Sequence, residues 1–241
     1  MAFNDGDFLE VDYTLWDGES GSVLATTSEE IAKSKGIYDE HVTYEPVLVI
    51  LGANAVVKGL ERELKGMNVG ESKSVVLQPD EAFGKRDENL IKVMKLSDFK
   101  AQNINPYPGM RINIDNASVT VKSVGSGRVV VDANHPDAGK RVKYDIKVVR
   151  QLSDEKERIG ALAKTYNAKP SSIEIGGDTA ELFYDNKVKK DSDYFVSKAS
   201  SLAAIFSYIK PVKRIIVKEE YVNDFGAAPE SGETKSGESG S

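Results

Sequence analysis

The stretch DFLEVDYTLW, residues 7–16, limits the possible folds more than any other. Leu9, Val11, Tyr13 and Leu15 alternate with Glu10, Asp12 and Thr14. Successive strand side chains point to opposite faces, so this period of two describes a strand with one face buried and one in water. Such a strand needs pairing partners along its edges and a cover over its apolar face. Asp17-Gly18 ends it with a turn signal, and SVLATT supplies a second strand. PVLVIL, 46–51, is a continuous apolar run and reads as a strand buried on both faces. SKSVVLQP, 72–79, is another strand, ended by Pro79. VKYDIKVV, 142–149, alternates Val142, Tyr144, Ile146 and Val148 in the style of the first strand and is assigned to the same sheet.

The cover is VVKGLERELKGM, 56–67. Val56, Val57, Leu60 and Leu64 recur at helical spacing, with Val56 and Val57 in the first turn. Gly59 lies inside this helix, where it costs roughly 1 kcal/mol against alanine. Its missing Cβ offers a reason, because it lets the helix lie close against a strand. A sheet curled around one short helix leaves a hollow between them, with Val56 and Val57 at its side and Leu60 as its floor.

The remainder of the chain sorts around this sheet. SEEIAKSKGIYDEH is a polar, helix-tolerant excursion. Within 85–135, MRINID, ASVTVKSV and GRVVVDA read as short strands, LSDF as one helical turn and NPYPG as a loop. This all-β module of about 50 residues is marginal alone, and it is read as an insertion into the first sheet. His135, between Asn134 and Pro136, is read as a turn residue where the module rejoins its host. After Ser153 the pattern changes to helix, two strands around Gly176-Gly177, a helix over about 191–210 and a closing strand, VKRIIVKEEYV. In that helix Phe195, Ala199, Leu202, Phe206 and Ile209 form a stripe that serves either the domain's own core or contact with a second copy. From residue 225 the chain has almost no apolar content and is expected to be disordered. The expected fold class is α+β. Its domains are 1–84 with 136–152, the inserted 85–135, an α/β domain over 153–224 and a tail over 225–241.

Composition removes several kinds of chemistry. The chain has 241 residues and no cysteine, which rules out disulfides, thiol catalysis and cysteine-bound zinc. With only His41 and His135, no histidine-rich metal site can form, and neither metal nor cofactor is expected. Net charge is −6 with both signs mixed, so nucleic acid is not an expected partner. No apolar run reaches the ~18 residues of a membrane span. MAFNDGDFLE lacks the basic flank and apolar core of a secretory signal, and the expected compartment is the cytoplasm.

LGANAVVKGLERELKGMNVGE, followed after a strand by PDEAFG, resembles the FKBP-type peptidyl-prolyl cis-trans isomerases. AFGKRDENL leading into the β-module, and VVVDANHPDAGKRVKYDIKVV leading out of it, resemble the SlyD-like branch, in which a domain is inserted in the flap. The segment after 153 resembles the extra domain of long archaeal-type members. The resemblance implies an antiparallel half-barrel around the short helix, with a prolyl pocket between. It implies Tyr13, Phe83 and Tyr144 as the catalytic aromatic residues. Leu24, Ala25, Val47, Val56, Val57 and Leu60 follow as substrate-binding positions. Ala25 replaces the family's usual aspartate, Phe83 its flap tyrosine, and Leu60 the tryptophan floor of many members.

The expected activity is isomerisation of X-Pro bonds in unfolded or proline-containing polypeptides. An apolar slot favours the twisted, less charge-separated amide over the planar one, so no nucleophile, metal or general base is needed. The inserted module is expected to capture extended chains by strand addition. Its candidate surface is Leu90, Ile91, Val93, Met94, Leu96 and Phe99, a run that also offers the module a core of its own. A homodimer through the C-terminal domain is a further expectation. The alternative is a holdase or interaction scaffold whose pocket has decayed, with Ala25 and Phe83 in its favour.

Overall fold

The structure, a computed structural model, describes residues 3–114, 117–185 and 191–221. The tail expected over 225–241 lies outside the described residues. The chain divides into two units, with the boundary between Ser153 and Asp154. Among the described residues, no helix is long and apolar enough to cross a membrane.

The first unit is organised by β1 (Phe8–Asp17). Leu9, Val11 and Leu15 are buried on one face, as the alternation predicts. One edge of β1 is shared by two antiparallel partners. Its first half pairs β3 (Val47–Ile50), and its second half pairs β2 (Val23–Thr26). Between them in the chain runs a short helix, α1 (Glu29–Ser34), capped by the Ser28 hydroxyl. The other edge of β1 pairs along its whole length with β9 (Val142–Leu152), and β9 in turn pairs β4 (Ser72–Leu77). All five strands of the sheet are antiparallel to their partners. β3 is not buried on both faces as its composition suggests. It pairs only β1, which leaves it at an edge, and Val47 is exposed.

The apolar face is covered by α2 (Lys58–Lys65). Leu60 and Leu64 turn into a core with Leu9, Val11, Leu51, Leu77, Ile146 and Val148. The helix begins later than its apolar stripe suggests. Val57 is its cap, with extended backbone at φ −61° and ψ 146°, so Val56 and Val57 precede the first turn. Gly59 stands where the reading of the sequence requires it. A Cβ placed there would lie 2.7 Å from Leu77 Cδ2 and 3.0 Å from the Glu81 carbonyl oxygen, below van der Waals contact.

Between β4 and β9 the chain builds a separate four-stranded antiparallel sheet. Its members are β5 (Ile91–Lys95), β6 (Arg111–Ile114), β7 (Ala117–Gly125) and β8 (Arg128–Asp132), in the order β5-β8-β7-β6. β5 is absent from the pattern of sequence alternation. One helix, α3 (Leu96–Ala101), covers this sheet, so the segment is not all-β. Phe99 is buried with Ile112, Val119, Val121, Val129 and Val131, and Met94 and Leu96 pack partly against the same cluster.

In the second unit, β10 (Ser172–Gly176) and β11 (Thr179–Tyr184) form a hairpin, and β12 (Arg214–Glu219) adds to β11 in parallel. α4 (Glu155–Thr165) starts at the Asp154 cap, and α5 (Ser192–Tyr208) at the Asp191 cap. The buried face of α5 carries Tyr194, Ser201, Ala204 and Ile205. Of the stripe read from the sequence, Phe195 and Phe206 are exposed within this chain and Ile209 is buried. The helix is apolar on more than one side, and periodicity alone does not say which side a sheet will cover.

Candidate functional site

Between the β1–β3 side of the sheet and the start of α2 lies a cavity of about 560 Å³. That volume falls within the range of small-ligand sites. β1 supplies Val11, Tyr13 and Leu15, because the strand's period of two sends these three to one face. β3 supplies Val47 and Val49, paired opposite Val11 and Leu9 respectively. Val56 and Val57 line the side where the chain enters α2, and Leu60 lines it from the first turn. No side chain caps α2, so the N–H groups of its first turn have no side-chain acceptor at the helix start.

Two aromatic residues arrive from distant parts of the chain. Tyr144 lies opposite Leu15 in the β1–β9 register and therefore shares its face. The Tyr13 and Tyr144 rings are 6.0 Å apart and inclined at 52°. Burial raises the Tyr13 hydroxyl above its ordinary value. Burial, followed by the nearby Tyr13 and the Asp137 charge, pushes Tyr144 up to about 12. Both phenols are therefore neutral at physiological pH. Phe83 comes from the turn after β4. There the chain makes a single 3₁₀ turn over Pro79–Glu81, closed by a hydrogen bond from Gly84 N–H to the Pro79 carbonyl at 2.7 Å. Gly84 has φ +80°, a conformation that glycine adopts without steric strain.

The structure thus brings Tyr13, Val47, Val56, Val57, Leu60, Phe83 and Tyr144 to one cavity. It does not bring Leu24 and Ala25 there. Ala25 lies opposite Leu15, and Leu24 falls at the irregularity in the β1–β2 register beside it. Both pack on the core cluster, and Leu15 is the lining residue instead. Val11, Leu15, Leu48, Val49, Asn54 and Ala55 are lining residues that the family resemblance did not imply. The alternation of β1 already placed Leu15 on the face of Tyr13. No local signal marks His135, whose ring lies parallel to Phe83 with centroids 4.3 Å apart and planes 4° apart.

None of the lining residues carries a formal charge, which sets this cavity apart from a hollow of similar size on the opposite face of the sheet. That second hollow, about 580 Å³, is lined by Asp12, Lys73, Asp145 and Lys147 among others. Among the described residues no cluster of histidine, aspartate and glutamate is arranged to hold a metal ion.

Two family models match the chain. One, described as FKBP-type peptidyl-prolyl cis-trans isomerase, covers residues 2–100, and one described as FKBP26, IF domain, covers residues 92–137. A short-type peptidyl-prolyl cis-trans isomerase of Methanocaldococcus jannaschii is 37% identical over 143 residues, covering 59% of this chain and 90% of the relative. The FKBP-type isomerase SlyD of Helicobacter pylori is 31% identical over 129 residues, 51% of this chain and 69% of that protein. SlyD of Aeromonas hydrophila is 34% identical over 151 residues, 61% and 64% respectively. With an antiparallel sheet wrapped on a short helix and relatives of this kind, the chain belongs to the FKBP-type peptidyl-prolyl cis-trans isomerases.

Proposed function

We propose that the cavity bounded by Tyr13, Val57, Leu60 and Tyr144 is the site at which this isomerase rotates X-Pro bonds. The observation that carries this reading is a lining without formal charge beside two neutral phenols. The barrier to rotation is ~18–20 kcal/mol because the amide C–N bond is partly double. Conjugation is lost when the bond twists, and charge separation falls with it. Transfer into the apolar cavity therefore raises the planar form relative to the twisted one, and a wall that fits the twisted form adds differential binding. Val47, Val56, Val57 and Leu60 form the apolar wall, while Tyr13, Phe83 and Tyr144 surround the reacting amide. The test is proline-limited refolding of a reporter protein at catalytic concentrations of the chain. Acceleration is expected for the wild type and a large loss for Tyr13→Ala. An unchanged rate in Tyr13→Ala sinks this placement of the site, and no acceleration by the wild type favours the holdase reading.

The segment 85–135 is, in this proposal, an inserted module that captures unfolded chains. β5 is an edge strand of its sheet, with one side unpaired, and Leu90 and Val93 are exposed there. An extended segment can add to such an edge through backbone hydrogen bonds. Ile91, Met94 and Leu96 are half-buried and contribute their outer surfaces. Phe99 is withdrawn from the capture surface, because it is 3% exposed and belongs to the module's core. Val93→Asp should slow acceleration on an unfolded protein while sparing a tetrapeptide. Equal losses on both substrates would refute the division of labour.

A homodimer through residues 153–224 is proposed on the exposed apolar side of α5, where Phe195, Val196 and Phe206 all face outward. Sedimentation of the full chain tests it, with Phe195→Asp/Phe206→Asp expected to give monomers. Cytoplasmic residence belongs to the same proposal and is tested by cell fractionation.

A further inference from the structure

We propose that His135 is a positioning residue of the isomerase site, holding the Phe83 ring in the wall of the cavity. The proposal rests on reading that cavity as the prolyl site. Phe83 sits on a turn and is only partly buried, packed against the edge of the main core, so part of its ring surface is left to other contacts. One ring contact is specific. The imidazole of His135 is stacked on it, with ring centroids 4.3 Å apart and planes inclined by 4°. That imidazole is itself held. Its Nδ1 accepts a hydrogen bond from Asp137 N–H at 3.1 Å, which places the neutral ring's proton on Nε2.

The segment carrying His135 is tied to the segment carrying Phe83 on both sides of the stack. Toward the cavity sheet, Gly139 N–H donates to the Gly84 carbonyl at 2.8 Å. Toward the second sheet, Asp87 N–H donates to Asn134 Oδ1 at 2.8 Å, and Asn134 Nδ2 donates to the Asp87 carbonyl at 2.9 Å. Beyond these, Arg86 pairs with the buried carboxylate of Asp132, which also accepts from Asn134 N–H at 2.9 Å. The two crossings between the sheets therefore behave as one strap, and the Phe83–His135 stack is where that strap meets the cavity. The second crossing reaches the site through a ring rather than through a lining residue.

The test measures kcat/KM on a short proline peptide with the full chain. His135→Leu, similar in bulk but without a planar ring, is expected to lower kcat/KM by about threefold to tenfold, the scale of one aromatic pair. His135→Phe restores the stack and is expected to recover most of the loss. In a Phe83→Ala background, His135→Leu should have no further effect, because a residue acting through Phe83 has nothing left to position. Full activity of His135→Leu, with Tyr13→Ala impaired, overturns the positioning role alone. So does an equal loss in both backgrounds. An unimpaired Tyr13→Ala overturns the prolyl-site reading itself. Should His135→Leu disrupt the turn, His135→Gln keeps an acceptor for the Asp137 N–H, lacks a ring and makes the same comparison.

Discussion

Replacing Gly59 by alanine sets two effects of known size against each other. In a helix, alanine is better than glycine by about 1 kcal/mol, and an exposed position would simply gain that stability. At Gly59 the new methyl would sit 2.7 and 2.9 Å from the two Leu77 methyl carbons and 3.0 Å from the Glu81 carbonyl oxygen. Carbon atoms prefer roughly 3.5–4.0 Å, so Leu77 must retreat by about 1 Å. Leu77 is wholly buried in the main core, so its retreat must push on packed neighbours. Overpacking of this kind costs typically about 1–3 kcal/mol. The clash at least offsets the propensity, and a net loss of up to about 2 kcal/mol is expected. Trp16, the chain's one tryptophan, lies in β1 and reports unfolding of the first unit by fluorescence. In urea the midpoint should fall with the slope unchanged. In a Leu77→Ala background most of the penalty should disappear, because the obstructing methyls are gone and only the Glu81 carbonyl remains close. A higher midpoint for Gly59→Ala in the intact chain, or the same penalty in both backgrounds, would refute the close-approach argument. Leu60, the next residue, lines the cavity, so any displacement of α2 should also raise KM for a proline peptide.

Three further outcomes follow from particular residues. Tyr144 is raised from 10.0 to about 12 by burial, so its neutral form is favoured in the fold; the stability this confers is complete below pH 10 and is lost as pH rises from 10 toward 12. Tyr184 is pushed up to about 12 as well, so the absorbance titration at high pH is compared with that of Tyr144→Phe; the difference should be a late-titrating tyrosine that moves to the ordinary range on unfolding, and a normal titration in the difference would contradict the burial of Tyr144. Glu219 is pushed up by desolvation but more strongly lowered by hydrogen bonds from Lys198, Tyr221 and Tyr194, from 4.5 to about 2. Stability of the second unit should therefore be lost as pH falls from about 4.5 to about 2, and Glu219→Gln should flatten that dependence in hydrogen exchange of α5 and β12. Phe99→Ala removes a buried aromatic from the small β5–β8 sheet and should cost about 3–5 kcal/mol there. Fast hydrogen exchange confined to that sheet, with tetrapeptide isomerisation retained, is the expected result; wild-type protection would contradict its core role.

The strands were legible wherever one face is buried and one wet. Alternation in β1 and β9 marks the side chains that share a face, and the register then brings Tyr144 opposite Leu15. The glycine in α2 was legible as well, because a residue so unfavourable in a helix needs a reason. β5 was obscured because Leu90–Phe99 mixes an exposed edge with core residues, and composition does not separate the two. In α5 the sequence shows apolar residues on several sides, and the fold buries Tyr194, Ala204 and Ile205 while leaving Phe195 and Phe206 exposed. Leu24 matches the motif and Ala25 stands at the place of its usual aspartate, yet neither lines the cavity, and Leu15, opposite Ala25 in the register, does.

Local patterning was therefore enough to establish most of the strands and the covering helix, because periodicity and backbone preference act over a few residues, while the motif resemblance supplied the family and most of the residues that line the cavity. Edge positions, the covered side of α5 and the pairing of Phe83 with His135 were settled by the fold. They depend on which surfaces meet across long stretches of chain, and that follows from burying the largest apolar area together rather than from any neighbouring residue.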